Sequence, residues 1–226
     1  MKCILGTKLG MTQVFGEDGS VIPVTRVLAG PCTVTQVKTE EKDGATAIQI
    51  GFGEQKLFRM TQAKQGHVKG LANVRYLKDF TAKADHGLKR GDTFGANIFA
   101  VGDVVQVVGT SKGRGFQGVV KRHGFKGAPA THGHKHDLRA PGSIGAGGVQ
   151  RVFKDMRMAG HMGDDRVTVK NLKIIQVLPD TNELLIKGAI PGSRGGLVLI
   201  STQNGTITVE SVAKVEEPVA AETATA

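Results

Sequence analysis

Residues 111–163 limit what this chain can fold into more than any other part of it. These 53 residues hold ten Lys or Arg, two Asp, twelve of the chain's 32 glycines and five of its seven histidines, with no long apolar run. Such a stretch cannot bury enough apolar surface to offset the conformational entropy of ordering it. Alone it is expected to be mobile. An insertion of this length without structure of its own is uncommon inside a compact domain, and makes sense where an outside partner orders it. The charge indicates the class of partner. This one segment carries +8 of the chain's net +10, which points to a polyanion: nucleic acid first, an anionic membrane surface second.

The flanks read differently. Residues 20–28 (SVIPVTRVL), 33–38 (TVTQVK), 46–52 (TAIQIGF) and 104–109 are short runs rich in Val, Ile and Thr, separated by turn residues such as Gly30-Pro31 and Asp43-Gly44. Beyond the basic stretch, residues 166–178 (RVTVKNLKIIQVL), 183–189, 197–201 and 206–212 repeat the pattern, with Asn204-Gly205 as a hairpin signal. The economical arrangement is a mainly β protein: one β barrel closed by strands from both ends of the chain, with the basic Gly-rich stretch as an extension from it. The expected division is a discontinuous barrel domain of residues 1–110 and 164–215, an extension of residues 111–163, and a disordered acidic tail of residues 216–226. Residues 54–100 form a polar, partly helical insertion within the barrel domain. There Leu71, Val74, Leu77 and Phe80, at spacing three, predict a short amphipathic helix whose stripe serves packing.

Other classes lose support. No apolar run approaches the roughly 18 to 20 residues needed to cross a bilayer. The opening residues, with Lys2 and Lys8, lack the apolar centre of a signal peptide, so a cytosolic protein is expected. Cys3 and Cys32 each sit in a strand-like run and form no C-x-x-C pair, which predicts buried, reduced thiols.

Two motifs in the basic stretch carry chemistry. Gly113, Gly115, Gly118 and Val120 match G-x-G-x-x-G-x-V, the pattern of a nucleotide-binding loop. The context does not support it: Asp137, at the distance of a ribose-binding acid, lies in HGHKHDLRAP rather than at a strand end. The lysine and catalytic loops of a protein kinase are missing, and Ser111-Lys112-Gly113 is the wrong order for a Walker loop. Glycines also let backbone N–H groups and neighbouring cations approach phosphates closely. With Lys112, Arg114, Lys121, Arg122 and Lys126 interleaved, a nucleic-acid backbone is the better match. Phe116 and Phe125 are candidates either for stacking on bases or for folding the loop on itself. His132, His134 and His136 with Asp137 form H-x-H-x-H-D, a spacing that suits a metal. Lys135 and the surrounding positive charge oppose a dication, so no metal and no cofactor are expected. Histidines in such a setting instead bond to phosphate or stack on bases. No catalytic constellation is legible, and the chain is not expected to be an enzyme.

Longer motifs make the chain recognisable. MKCILGTKLGMTQVF at residues 1–15, IPVTRVLAGPCTVTQVKT at 22–39, VVQVVGTSKGRGFQGVVKRHGFKG at 104–127, APGSIG at 140–145 and MAGHMGDDRVTVKNL at 158–172 resemble, in order, the L-three family of large-subunit ribosomal proteins of bacterial type. The resemblance implies a translation-factor-like barrel seated on the large subunit. It implies that the extension threads into large-subunit (23S-type) rRNA, approaches the peptidyl-transferase centre and acts early in assembly, beside neighbouring ribosomal proteins on cytoplasmic ribosomes. By motif and charge the rRNA-binding residues are Lys112, Arg114, Lys121, Arg122, Lys126, His132, His134, Arg139, Ser143, Arg151, Lys154 and Arg157. The resemblance also makes Gln150, which lies near the place of a glutamine that some members methylate, a candidate modification site. The chain departs from the pattern at Arg139-Ala140-Pro141, where members often carry Arg-Arg-Pro. It departs again at residues 147–155, where the innermost loop is one residue shorter and lacks its proline. The expected function is that of a structural, rRNA-binding constituent of the large subunit. The alternative is an RNA-binding assembly or regulatory factor acting off the ribosome.

Overall fold

A computed structural model describes residues 2–81, 87–202 and 213–214. The chain divides into two compact units, one of Met1–Thr110 with Val167–Ala226 and one of Ser111–Arg166.

The first unit is built on strands β1 (Cys3–Phe15), β2 (Val21–Ala29), β3 (Cys32–Lys38), β4 (Ala47–Glu54), β5 (Val74–Thr81), β6 (Asp92–Phe94) and β7 (Val104–Thr110). The second unit contributes the two-residue strands β8 (Phe116–Gln117) and β9 (Gly160–His161). The chain then returns to the first unit with β10 (Arg166–Leu178), β11 (Glu183–Lys187), β12 (Leu197–Ser201) and β13 (Ala213–Lys214). Six strands close a barrel in the order β1-β12-β7-β10-β11-β2. The closing strands come from both ends of the chain. Register is explicit: Cys3 to Thr7 pair with Ser201 to Leu197, and Leu28 to Val24 pair with Glu183 to Lys187. Closure removes the exposed edges an open sheet would present.

A second sheet, in the order β13-β6-β3-β4-β5, is antiparallel throughout and lies outside the barrel. The sequence reading drew the runs at 33–38 and 46–52 into the barrel; they form β3 and β4 of this sheet instead. The chain leaves the barrel at Gly30, whose φ of 105° brings its backbone so close to Gly95 that a Cβ would stand 3.0 Å from the Gly95 Cα. β4 packs on β1, which explains a local anomaly. Cys3, Ile4 and Leu5 are consecutive yet all buried, as a strand must be when both of its faces are covered. Ile4, Leu5, Val27, Val105, Val107, Ile174, Leu184, Ile186 and Ile200 share one continuous core with Val34, Ile48, Ile50, Phe52 and Phe94 of the second sheet.

The amphipathic helix expected over residues 71–80 is β5. Its residues pair with β4 from Val74 opposite Glu54 to Thr81 opposite Ala47, and its Val, Tyr, Phe and Thr content favours a strand. The spacing of three arises because Val74 and Leu77 pack with Met60 and Val68 in a small separate cluster, while Phe80 enters the main core. The helical residues described in the insertion are a 3-10 turn at Leu57–Arg59 and α2 at Gln62–His67, both before β5, and a second 3-10 turn at Ala96–Ile98 after β6; the one-turn α1 at Glu40–Asp43 precedes the insertion. The hairpin signal at Asn204-Gly205, the run at 206–212 and the acidic tail lie outside the described residues. Cys3 and Cys32 are buried as free thiols. Burial pushes both pKa values up to about 12, and the Cys32 thiol donates to the Leu5 carbonyl at 3.5 Å.

Candidate nucleic-acid interface

The second unit begins as two antiparallel arms zipped by backbone bonds. Ser111 N donates to Asp165 O at 2.8 Å, Arg114 N to Met162 O at 2.8 Å, and Met162 N to Gly115 O at 3.0 Å. β8 and β9 continue the ladder, with Phe116 opposite His161. Gly163 is fixed by this approach: at φ 79° its Cα faces the backbone of Lys112 to Arg114, and a Cβ would stand 3.0 Å from Gly113 Cα.

α3 (Val119–His123) follows and ends at Gly124 in the left-handed conformation. Two of its side chains grip the returning arm. Arg122 Nη1 donates to the Met158 carbonyl at 2.8 Å, and His123 Nε2 donates to the same oxygen at 3.1 Å. Phe125 packs against the His123 ring, with centroids 5.9 Å apart. From residue 124 to residue 159 there is no helix or strand. Local bonds shape this stretch: Ala128 N to Leu138 O at 3.0 Å, and Ser143 Oγ to Gly145 O at 2.7 Å. A cleft of about 360 Å³ opens between Phe125–Ala128 and the Asp137–Gly142 side, with Lys126 on its wall.

Across Ser111–Arg166 a single residue, Val119, is buried. The unit has no core of its own. It carries eleven Lys or Arg against four Asp, and none of the eleven is ion-paired with a carboxylate among the described residues. Its one ion pair is His134 Nδ1 with Asp137 Oδ2 at 2.8 Å, and that hydrogen bond holds the Asp137 carboxyl below its ordinary value. Lys112, Arg114, Lys121, Arg122, Lys126, His132, His134, Arg139, Ser143, Arg151, Lys154 and Arg157 are all exposed, as is Gln150. Among the described residues, Arg122 alone of these cations bonds the chain's own backbone.

The G-x-G-x-x-G segment forms no nucleotide cradle. It is extended where it contains β8, and the helix that follows Gly118 is only five residues long. Asp137 bonds His134 rather than standing at a strand end. Gly113 and Gly118 face open space, with no atom within 4 Å of where a Cβ would sit, and Gly115 (φ 67°) does too. On the side where a Cβ would sit, Gly113 and Gly118 meet no described residue, so that side of each is open to an external group. Among the described residues no group of three His, Cys, Asp or Glu is arranged to hold a metal ion. No described helix is long and apolar enough to cross a membrane.

Phe116, 77% exposed, is the most exposed aromatic of this unit; Phe125 is partly covered. The sequence reading overlooked a second cationic stretch in the first unit, residues 56–78, because the net charge of the whole chain was nearly accounted for by the extension.

Comparison with known proteins agrees with this picture. The family described as Ribosomal protein L3 matches residues 79–184. The chain is 55% identical over 201 residues to large ribosomal subunit protein uL3 of Roseiflexus sp. (strain RS-1), covering 87% of this chain and 95% of that protein. It is 52% identical over 200 residues to the uL3 protein of Herpetosiphon aurantiacus, covering 88% and 94%. Against the uL3 protein of Heliobacterium modesticaldum it is 49% identical over 203 residues, covering 89% and 96%.

Proposed function

The chain belongs to the ribosomal protein L3 family and is a structural constituent of the large ribosomal subunit, and from that premise we propose that residues 111–166 are its rRNA-binding arm. One observation carries the proposal: a unit with eleven Lys or Arg, no carboxylate partner for any of them among the described residues, and one buried residue. Such a unit gains no core from its own fold, and its single ion pair, His134–Asp137, involves none of the eleven. Its charge is available for phosphate, and its order is completed by a partner. The barrel and second sheet supply the stable base that seats the arm on the subunit.

The arm reaches into large-subunit rRNA toward the peptidyl-transferase centre. Exposed Lys112, Arg114, Lys121, Lys126, Arg139, Arg151, Lys154 and Arg157 neutralise phosphates. His132 and His134 donate hydrogen bonds, Ser143, whose own proton goes to the Gly145 carbonyl, accepts one from a ribose 2′-hydroxyl, and Gln150 is a modification site at the tip. The role is architectural and begins early in subunit assembly, in the cytoplasm, with rRNA and neighbouring ribosomal proteins as partners. No metal, cofactor or small-molecule substrate takes part.

Sedimentation of cell extract in high salt tests the reading. The full chain is expected to travel with the large subunit, and a chain lacking residues 115–160 is expected to leave precursor particles behind. Full-length protein that remained at the top of the gradient would overturn it in favour of a factor acting off the ribosome.

A further inference from the structure

Residues 56–78 carry six Lys or Arg and no Asp or Glu, a denser run of one sign than the arm itself. Lys56, Arg59, Lys64, Lys69, Arg75 and Lys78 have no carboxylate partner among the described residues. Two of these cations lie over the aromatic ring beside them in sequence. Arg59 Cζ is 5.5 Å from the Phe58 ring centroid, and Arg75 Cζ is 5.0 Å from that of Tyr76. Phe58 is 77% exposed, so packing within the chain does not account for it.

These pairs sit on a fixed frame. Gln65 Nε2 donates to the carbonyls of Leu57 and Met60, each at 3.0 Å, which ties α2 to the turn carrying Phe58 and Arg59. The next side chain back, Lys64, donates to the Arg75 carbonyl at 2.6 Å and ties the same helix to β5. Beneath them Met60, Val68 and Val74 are buried together. At the far end of α2, Arg90 Nη2 donates to the carbonyls of His67 at 2.9 Å and Lys69 at 3.2 Å. The frame fixes the backbone at both Arg–aromatic pairs before any ligand arrives.

An aromatic face with a guanidinium beside it matches an unpaired nucleobase, because bases stack on both surfaces and flanking phosphates bind nearby ammonium groups. A protein partner would have to bring a matching cluster of carboxylates, and an A-form duplex hides its base faces in the stack. We propose that residues 56–78 form a second RNA-docking site, in the barrel unit, that takes an unpaired base of a loop or bulge on Phe58–Arg59 and its neighbouring phosphates on Lys56, Lys69 and Lys78. The inference rests on the rRNA-binding reading above and adds to it a stacking site remote in sequence from the arm.

The test uses the full chain and a protein-free transcript of the large-subunit rRNA, with affinity measured against salt. Phe58→Leu keeps an apolar side chain and removes the ring. It is expected to weaken binding about tenfold, within the range for loss of one stacked base, with melting temperature and salt slope unchanged. Lys56→Gln with Lys69→Gln is expected to lower the slope of log affinity against log salt by roughly 1.5, two phosphate contacts' worth. Ultraviolet crosslinking is expected to join the Phe58 peptide to an unpaired nucleotide. Lys121→Gln with Lys126→Gln, in the arm, is the reference. If that pair weakens binding while Phe58→Leu and Lys56→Gln/Lys69→Gln leave it at the wild-type value, the second site is wrong and the arm stands. Failure of the wild-type chain to bind the transcript sinks both. If Phe58→Leu instead costs the reconstituted particle a neighbouring protein with rRNA affinity intact, the surface docks protein and the inference is overturned.

Discussion

Arg122 Nη1 stands 2.8 Å from the carbonyl oxygen of Met158, 36 residues further along the chain, and His123 reaches the same oxygen. This clamp closes the basic arm above its zipped base, in a unit where one buried side chain supplies the packing. A charged hydrogen bond carries more weight where little else holds two segments together. In free protein, Arg122→Gln is expected to raise amide exchange at Gly160 to Met162 roughly fivefold, equivalent to about 1 kcal/mol. Exchange in the barrel strands stays as it was. Arg122→Lys, which keeps a donor but loses the rigid fork, falls between. Wild-type exchange in Arg122→Gln would show that the clamp does not hold the arms.

Gly163 and Gly113 lie opposite each other in the same zipped base but answer to different constraints. At Gly163 φ is 79° and a Cβ would press on the backbone of Gly113. Gly163→Ala is therefore expected to unzip the base, at a cost of about 1–3 kcal/mol. At Gly113 nothing lies within 4 Å of a Cβ and φ is not in the left-handed region. If the arm binds rRNA as proposed, Gly113→Ala is expected to leave the free protein's exchange pattern alone and to weaken rRNA binding, because the methyl would fill space open to a phosphate. Equal behaviour of the two variants in free protein would contradict this division.

How much of this was legible in the sequence depends on where the physics is local. The strands from Val21 to Ala29 and from Arg166 to Leu178 announce themselves, because β-branched residues and turn pairs are signals within a few residues of each other. The departure of β3 and β4 into a second sheet does not, since strand pairing is settled by distant partners such as β5 and β6. The helix expected over 71–80 failed for the same reason: spacing of three at Leu71, Val74, Leu77 and Phe80 came from two separate packing partners. In the arm, charge and glycine density were legible because they are sums over residues. The distinct duty of Arg122 was not, since it depends on Met158 returning to meet it. The cations of 56–78 were visible as a run without acids, but their pairing with Phe58 and Tyr76 needed coordinates.

Burial holds both thiols protonated, with pKa values raised from 9.0 to about 12. The stabilisation that goes with a raised pKa is complete below the unfolded value and disappears as pH climbs through the folded one. The melting temperature is thus expected to be level from pH 7 to about 9 and to fall between about 9 and 12. Cys32→Ala should fall less steeply over that window. At pH 8 a disulfide reagent is expected to titrate neither thiol in the native protein and both after unfolding. Rapid stoichiometric reaction of the folded chain would show that the Cys3 and Cys32 strands open far more readily than a shared core permits. At the acid end, partial burial tends to raise the Asp103 pKa, but the Ala100 amide at 3.1 Å and Lys2 at 2.9 Å outweigh it and hold the carboxyl below 3.8. That contribution is present above the unfolded value and is lost as pH falls through the folded one.

If the arm binds by neutralising phosphate, its cations contribute to affinity in a way that base sequence does not alter. Each phosphate contact releases counterions and contributes roughly 0.7 to 0.9 to the slope of log affinity against log salt. Arg114, Lys121 and Lys126 are exposed, and none bonds a carboxylate among the described residues, so their charge is available in full. Gln at all three positions is expected to flatten the slope by about two units on large-subunit rRNA and equally on a scrambled transcript of the same length. Stability should not change, because all three side chains are exposed and the only buried residue of the arm is Val119. Arg122→Gln serves as the contrast. One of its nitrogens is already committed to Met158, so its loss acts mainly through loop order and is expected to lower affinity with less than a full contact's change in slope. A triple variant that kept the wild-type slope, measured between about 50 and 200 mM salt, would show that these three side chains do not meet phosphate.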